Sequence, residues 1–295
     1  MALDTIKLRF FSDFADSTAL KNAFRSWNYG ITDYKNLSVV DTDDYTHVAI
    51  YNFGRPDIKH IPKKNVIGFM HEPFELLDIN SYMSYIQENI GTYIVHDKSR
   101  YPNWDCFKEG MCYLAPHIPI EQASHYKDNI EKPFTMSIIA SAKTHPLEGW
   151  GLRHQLIRKI LASNLDIHIY GRGCPFYSDS RVKGELNEKE KAFLPYKYSI
   201  AIENTSYKYW ITEKFYDPIL CGCIPLYWGA DAVANVLGQD SHIMLPKGLD
   251  NIMSFITEVY KNPDKYNRNT SIAKNMLLNE KNFAHYLWEH FNGKK

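Results

Sequence analysis

Residues 198–229 read YSIAIENTSYKYWITEKFYDPILCGCIPLYWG, and the order of their parts decides the fold. The run Tyr198-Ser199-Ile200-Ala201-Ile202 suits a strand buried in a parallel sheet. It ends abruptly at Glu203 and Asn204, and a loop rich in hydroxyl and aromatic side chains follows to Tyr209. Thr212 is a suitable helix N-cap, Glu213 favours the positive end of the helix, and Gly222 is a suitable stop. Pro218 lies inside this helix and is expected to kink or shorten it. Ile224 to Trp228 then forms the next strand. In open α/β sheets, ligands bind beyond the carboxyl ends of the strands, where helix N-termini also point. Asn204, Glu213 and Lys214 are expected to converge on that edge. There the carboxylate can accept from sugar hydroxyls and the ammonium can neutralise a phosphate. An ordinary charged first turn would contain the same Glu213-Lys214 pair, so the surrounding pattern has to separate the two readings.

That pattern resembles the donor-site signature of the α-1,3-fucosyltransferases, glycosyltransferase family 10. The signature is an apolar strand, E-N-S/T, a few variable residues, an aromatic, x-T-E-K, a helix, and G-x-x-P before a strand ending in Gly. Here it reads Glu203-Asn204-Thr205, Trp210-Ile211-Thr212-Glu213-Lys214, Gly222-Cys223-Ile224-Pro225 and Trp228-Gly229. One position departs: Trp210 stands where the family has Tyr, with Tyr209 beside it. An indole stacks as a phenol does but lacks the hydroxyl. The resemblance implies an α/β, GT-B type fold of two Rossmann-like domains facing a central crevice. It also implies an inverting transfer of L-fucose from GDP-β-L-fucose to a hydroxyl of an oligosaccharide or glycoconjugate acceptor, in α-1,3 linkage. Two alternatives stay open: the same fold using another nucleotide sugar, and an inactive glycan-binding relative.

The remaining site residues follow from matching the rest of the chain. Residues 65–70 read as a strand ending in His71-Glu72-Pro73, and Pro73 holds Glu72 extended at the strand's end. An apolar strand followed by Glu supplies the family's proposed general base, a catalytic role carried here to Glu72. His71 is the competing base, its ordinary pKa lying near neutrality. Helical periodicity over 151–161 places Arg153 near a helix start. A guanidinium there can grip a diphosphate, as the family's helix-opening Arg does. Donor binding is therefore expected from Arg153, Asn204, Tyr209, Trp210, Glu213 and Lys214. Asp41-Thr42-Asp43-Asp44 contains a D-x-D that binds a divalent metal in other glycosyltransferases; before a strand it reads as turn acids. The family does not need such a motif, so neither a metal site nor an obligatory cofactor beyond the donor is expected.

At 295 residues the chain fits two domains of ordinary size. A Pro-rich, polar stretch around 116–133 suggests domains at 1–131, on the acceptor side, and 132–295, binding the nucleotide sugar. The last helix, 283–291, could cross back onto the first domain. Further expectations are a helix near 18–27, short strands at 93–96 and 111–115, and strands at 134–140, 166–170 and 242–245. Formal net charge is zero, and no basic stripe argues for nucleic acid and no polybasic anchor for a membrane surface, although local positive pockets stay open. The five cysteines have no metal-ligand spacing and read as reduced thiols. Neither a signal peptide nor a transmembrane segment is apparent, which leads to the expectation of a soluble, cytoplasmic protein.

Overall fold

The computed structural model describes residues 4–111, 116–128 and 130–293. In chain order the elements are β1 (Ile6–Phe11), α1 (Ser17–Ser26), β2 (Asp33–Tyr34), β3 (Leu37–Val40), β4 (His47–Tyr51), β5 (Val66–Phe69), α2 (Met83–Asn89), β6 (Thr92–Val95), β7 (Phe107–Glu109) and α3 (Ile120–Ser124). They continue with β8 (Phe134–Ile139), α4 (Glu148–Leu161), β9 (Ile167–Tyr170), β10 (Val182–Gly184), β11 (Tyr196–Ile202), α5 (Glu213–Leu220) and β12 (Ile224–Trp228). Last come α6 (Val233–Leu237), β13 (Ile243–Met244), α7 (Leu249–Lys261), α8 (Ser271–Asn279) and α9 (Phe283–Phe291). The short strand expected at 111–115 falls mostly on residues 112–115, outside the described residues.

Two compact units emerge. The first comprises residues 1–122, 208–212 and 278–295; the second comprises 123–207 and 213–277. Neither is a single stretch of chain.

The first unit is built on a seven-stranded sheet, β2-β3-β1-β4-β5-β6-β7, parallel except for the β2–β3 hairpin. Side chains alternate across it because successive Cβ atoms point to opposite faces. Val48, Ile50, Val66, Tyr93 and Val95 meet Ile86 and Tyr82 in one core. On the aromatic side Phe10 packs with Phe24 of α1, and Phe283 of α9 lies within 6.3 Å of Phe10, Phe24, Tyr51 and Phe69. Trp288 donates to Asn36 at 2.8 Å, and Tyr34 shares a 2.8 Å bond with His285, fixing α9 beside the β2–β3 edge.

The second unit has a six-stranded, wholly parallel sheet in the order β10-β9-β8-β11-β12-β13. Counted within the unit this is 3-2-1-4-5-6, the doubly wound order of dinucleotide-binding folds. Both faces must be covered in such a sheet. Tyr198, Ile200, Ile202, Ile224, Leu226 and Trp228 face a core shared with Leu156 and Ile160 of α4 and Ile252 and Ile256 of α7. On the opposite face Phe215 of α5 meets Tyr227 with ring centroids 4.7 Å apart. Pro218 lies in α5, which is only eight residues long. Helix α4 begins at Glu148, three residues before the expected start, so Arg153 sits in its second turn.

Candidate functional site

The topological switch of the second unit lies between β8 and β11, whose connections depart in opposite directions. Arg153 bridges their carboxyl ends. Its Nη1 donates to Ser141 Oγ at 3.2 Å, beyond β8, and its Nη2 donates to the Ile202 carbonyl at 2.6 Å, at the end of β11. Nη2 also reaches Asn204 Oδ1 at 3.4 Å, and Trp150 donates to the same oxygen at 2.8 Å. Close approach is built in at Gly149, whose N–H donates to the Asn204 carbonyl at 3.0 Å. A Cβ on Gly149 would lie 1.8 Å from the Glu203 carbonyl oxygen.

Glu203, fully buried, sits at the centre of the arrangement. Its N–H donates to the Trp228 carbonyl at 2.9 Å, which ties the end of β11 to the end of β12. Its carboxylate lies 3.7 Å from Lys214 Nζ and accepts from the Tyr227 hydroxyl at 3.4 Å. Lys214 is 2.9 Å from Glu213, and Lys189 is 3.3 Å from Asp217 and 3.8 Å from Glu213. Glu213 and Lys214 open α5 and Asp217 follows one turn later on the same face. The result is a cluster of Arg153, Lys189 and Lys214 interleaved with Glu203, Glu213 and Asp217.

Burial pulls the Arg153 guanidinium down to about 10, with Glu203 and Glu213 acting against it, so it stays cationic at neutral pH. Burial also disfavours charge on Lys214, but Glu213 and Glu203 together overcome it and hold the ammonium above the ordinary lysine value. Tyr227 is held well above its usual range, by burial first and by Glu203 second. The three cations are thus held in place by three ordered carboxylates, a preorganised set of charges that needs little reorganisation when charge changes beside it.

Beside this cluster the carboxyl edge opens into a cavity of ≈ 830 Å³. Its wall includes Glu148, Gly151 and Gln155 of α4, Ser206, Gly229 and Lys247. Ser206 lies two residues after Asn204. A Cβ on Gly229 would come within 2.6 Å of Glu203 Cγ, so the cavity and the ion cluster share a wall. The volume is that of a site for a molecule of nucleotide size.

The other expected residues lie in the first unit. Glu72 is exposed in the loop after β5, which ends at Phe69, so both His71 and Glu72 lie beyond the strand. His71 donates its N–H to Asn52 Oδ1 at 2.7 Å and its ring lies against Tyr51 at 4.8 Å. Tyr209 is half-buried and donates its N–H to the His96 carbonyl at 3.1 Å. Trp210 is 2% exposed, its ring set edge-on to His96 at 4.5 Å. The structure thus brings Arg153, Asn204, Glu213 and Lys214 together, and places Glu72, Tyr209 and Trp210 in the other unit. Sequence reasoning missed Glu203 as the buried hub, along with Lys189, Trp150 and His96. Only Glu203 carried a signal, an acid ending an apolar strand at the ligand-binding edge.

Asp41, Asp43 and Asp44 pair with Lys21, Arg9 and Lys7 respectively. Among the described residues no group of three or more His, Cys, Asp or Glu is gathered as a metal site. Cys106, Cys174, Cys221 and Cys223 are free thiols. No helix among the described residues is long and apolar enough to cross a membrane.

Residues 133–289 match the model of the glycosyltransferase family 10 (fucosyltransferase) C-terminal region, more than half of the chain. The chain belongs to glycosyltransferase family 10. A fucosyltransferase-like protein of Arabidopsis thaliana is 28% identical to the family 10 chain over 161 residues, 52% of this chain and 30% of that protein. The chain thus spans less than a third of the length of this relative. Among solved structures, an α1,3-fucosyltransferase with GDP-fucose superposes with a TM-score of 0.59 at 14% identity, covering 99% of this chain and 91% of the other. Anabaena HepE, in complex with UDP and glucose, gives a TM-score of 0.63 at 10% identity, covering 98% and 100%. At such identities these likenesses establish the fold, two Rossmann-like α/β units of the GT-B class.

Proposed function

We propose that this family 10 chain is an inverting fucosyltransferase that moves L-fucose from GDP-β-L-fucose to a hydroxyl of an oligosaccharide or glycoconjugate, in α-1,3 linkage. The observation that supports it most is the interleaved ion cluster at the switch point, in a region matching the family model. Arg153 and Lys214 meet the charge that gathers on the departing diphosphate. Glu213 and Asn204 orient donor hydroxyls, and Tyr209 supplies the aromatic contact to the donor. Trp210 contributes by holding the backbone of Tyr209 in place, its own ring being enclosed against His96.

The chemistry is a single displacement. The acceptor oxygen attacks the anomeric carbon opposite the diphosphate, and the Glu72 carboxylate takes the hydroxyl proton as the new C–O bond forms. The bond from the anomeric carbon to the diphosphate oxygen breaks, and GDP leaves with its electron pair. The protein's own cations carry the leaving-group charge, so this reading assigns no step to a divalent metal. A soluble, cytoplasmic setting belongs to the same reading, and the free thiols favour a reducing compartment.

A second reading, the same fold acting on another nucleotide sugar, is favoured by the likeness to HepE with its UDP and glucose. Calorimetric titration with GDP-fucose, GDP and UDP-glucose separates the two. Binding of GDP and GDP-fucose that disappears in Lys214→Ala is the expected result. Preference for UDP-glucose would overturn the donor, and unchanged GDP-fucose binding in Lys214→Ala would overturn the role of the ammonium.

A further inference from the structure

Three strand ends of the first unit meet at its own switch point, between β1 and β4. The turn after β1 is tied by Ser12, whose Oγ accepts from the N–H of Phe14 at 3.3 Å and of Ala15 at 2.8 Å and donates to the Ala15 carbonyl at 2.8 Å. Asp16 then caps α1 by accepting from Ala19 N–H at 2.8 Å. After β4 comes Asn52, held at φ 49°, whose N–H donates to the Phe69 carbonyl and whose side chain accepts from His71 N–H. After β5 come His71 and Glu72.

On this knitted edge Phe14 is 55% exposed. A lone exposed apolar side chain is ordinary on a protein surface. Phe14 differs because its ring is already stacked: it lies parallel to His71, at 9° and 5.9 Å, and 6.4 Å from Tyr51. Tyr51 in turn stacks on Phe10 at 5.8 Å and 11°. The column Phe10–Tyr51–His71–Phe14 therefore runs from the core to the surface and ends in a braced aromatic face. Glu72, the proposed base, follows the third ring of that column directly in the chain.

From this geometry we infer that Phe14 is the stacking platform for the sugar ring of the acceptor. The inference rests on the glycosyltransferase reading and adds to it a residue that binds the acceptor. A pyranose has one face of C–H bonds, weakly positive, which is drawn to the negative face of an aromatic ring. A platform fixed by His71 and the Ser12 turn loses little freedom when a sugar settles on it. Apolar stacking there leaves the acceptor hydroxyls to the exposed carboxylates of Asp13 and Glu72.

The test measures initial rates with methyl β-glycosides of N-acetyllactosamine and lactose, at saturating donor, for the native chain, Phe14→Ala and Phe14→Trp. Donor affinity by calorimetry and donor hydrolysis without acceptor are measured in parallel. The expected result is a rise of about tenfold in acceptor KM for Phe14→Ala, with a KM close to native for Phe14→Trp and donor binding and hydrolysis unchanged in both. An unaltered acceptor KM in Phe14→Ala overturns the platform. So does a loss of donor affinity equal to the change in KM, because that marks a structural role. Failure to bind or hydrolyse GDP-fucose and UDP-glucose alike, with no transfer from either, would instead overturn the glycosyltransferase reading, and this inference with it.

Discussion

Replacing Lys214 with Met should destabilise the ligand-free second unit because it removes a cation from a set of buried carboxylates. The ammonium stands 3.7 Å from Glu203, which has no exposed surface, and 2.9 Å from Glu213. At an effective dielectric of roughly 20, a pair at the longer distance attracts by about 4 kcal/mol before desolvation. Removing one partner of a buried pair costs about 3–5 kcal/mol, because the remaining charge stays where water cannot compensate it. The Lys214 side chain is 23% exposed, so some water can reach its place and the lower end of that range applies. For a unit of this size that is a fall in Tm of about 5–10 °C. Adding Glu203→Gln to Lys214→Met removes the stranded charge, keeps the side-chain shape and still accepts from Tyr227. The double variant should recover about 2 kcal/mol of the loss. Differential scanning calorimetry without ligand supplies both figures. If the two single losses simply add, to within about 0.5 kcal/mol, Glu203 is not the charge that Lys214 neutralises and the account of the cluster is wrong.

Two further perturbations probe other parts of the argument. Gly149→Ala should lower stability by about 3 kcal/mol, since the new Cβ would lie 1.8 Å from the Glu203 carbonyl oxygen, whereas Gly151→Ala, whose Cβ would meet the Thr144 carbonyl oxygen at 3.6 Å, should stabilise α4 by about 0.5–1 kcal/mol; similar urea midpoints for the pair would refute the close approach. Burial first, and repulsion from His71 second, bring the His96 pKa from 6.5 to about 3, so the native form binds fewer protons than the unfolded chain between those values. Stability from this group is complete above pH 6.5 and is lost as pH falls toward about 3, by up to about 5 kcal/mol. His96→Phe should flatten that acid limb, leaving a residual slope from His47 and His242, both lowered to about 4; an unchanged slope in the variant would contradict the assignment.

The second unit was legible in the sequence because its information is local. Tyr198 to Trp228 contains a strand, loop, helix and strand whose apolar spacing and punctuation match what forms, with β11 and β12 paired in register. Arg153 is legible as a basic residue near the start of a helix after a strand and loop, but its choice over Arg158 comes from the family resemblance, not from the local pattern. Glu203 was visible as a strand-ending acid, but its place among Lys214, Tyr227 and Arg153 depends on separations that no local pattern encodes. Trp150, whose indole fixes Asn204 from 54 residues away, looks in sequence like any apolar helix residue. The same limit applies to residues 208–212: they lie between β11 and α5, yet Tyr209 hydrogen-bonds to His96 and Trp210 packs on its ring.

That interleaving dictates an order of assembly on the ribosome. The second unit is complete in sequence at Leu277, whereas the first must wait for residues 278–295. Until then Phe10, Phe24, Tyr51 and Phe69 lack Phe283, and the edge at Asn36 lacks Trp288. The first unit therefore closes only after the whole of the second has been made, and its aromatic side stays uncovered until α9 emerges. A cut after Gln122 would divide only the first unit, which takes residues 208–212 and 278–295 from beyond it, and would leave every residue of the second unit on one side.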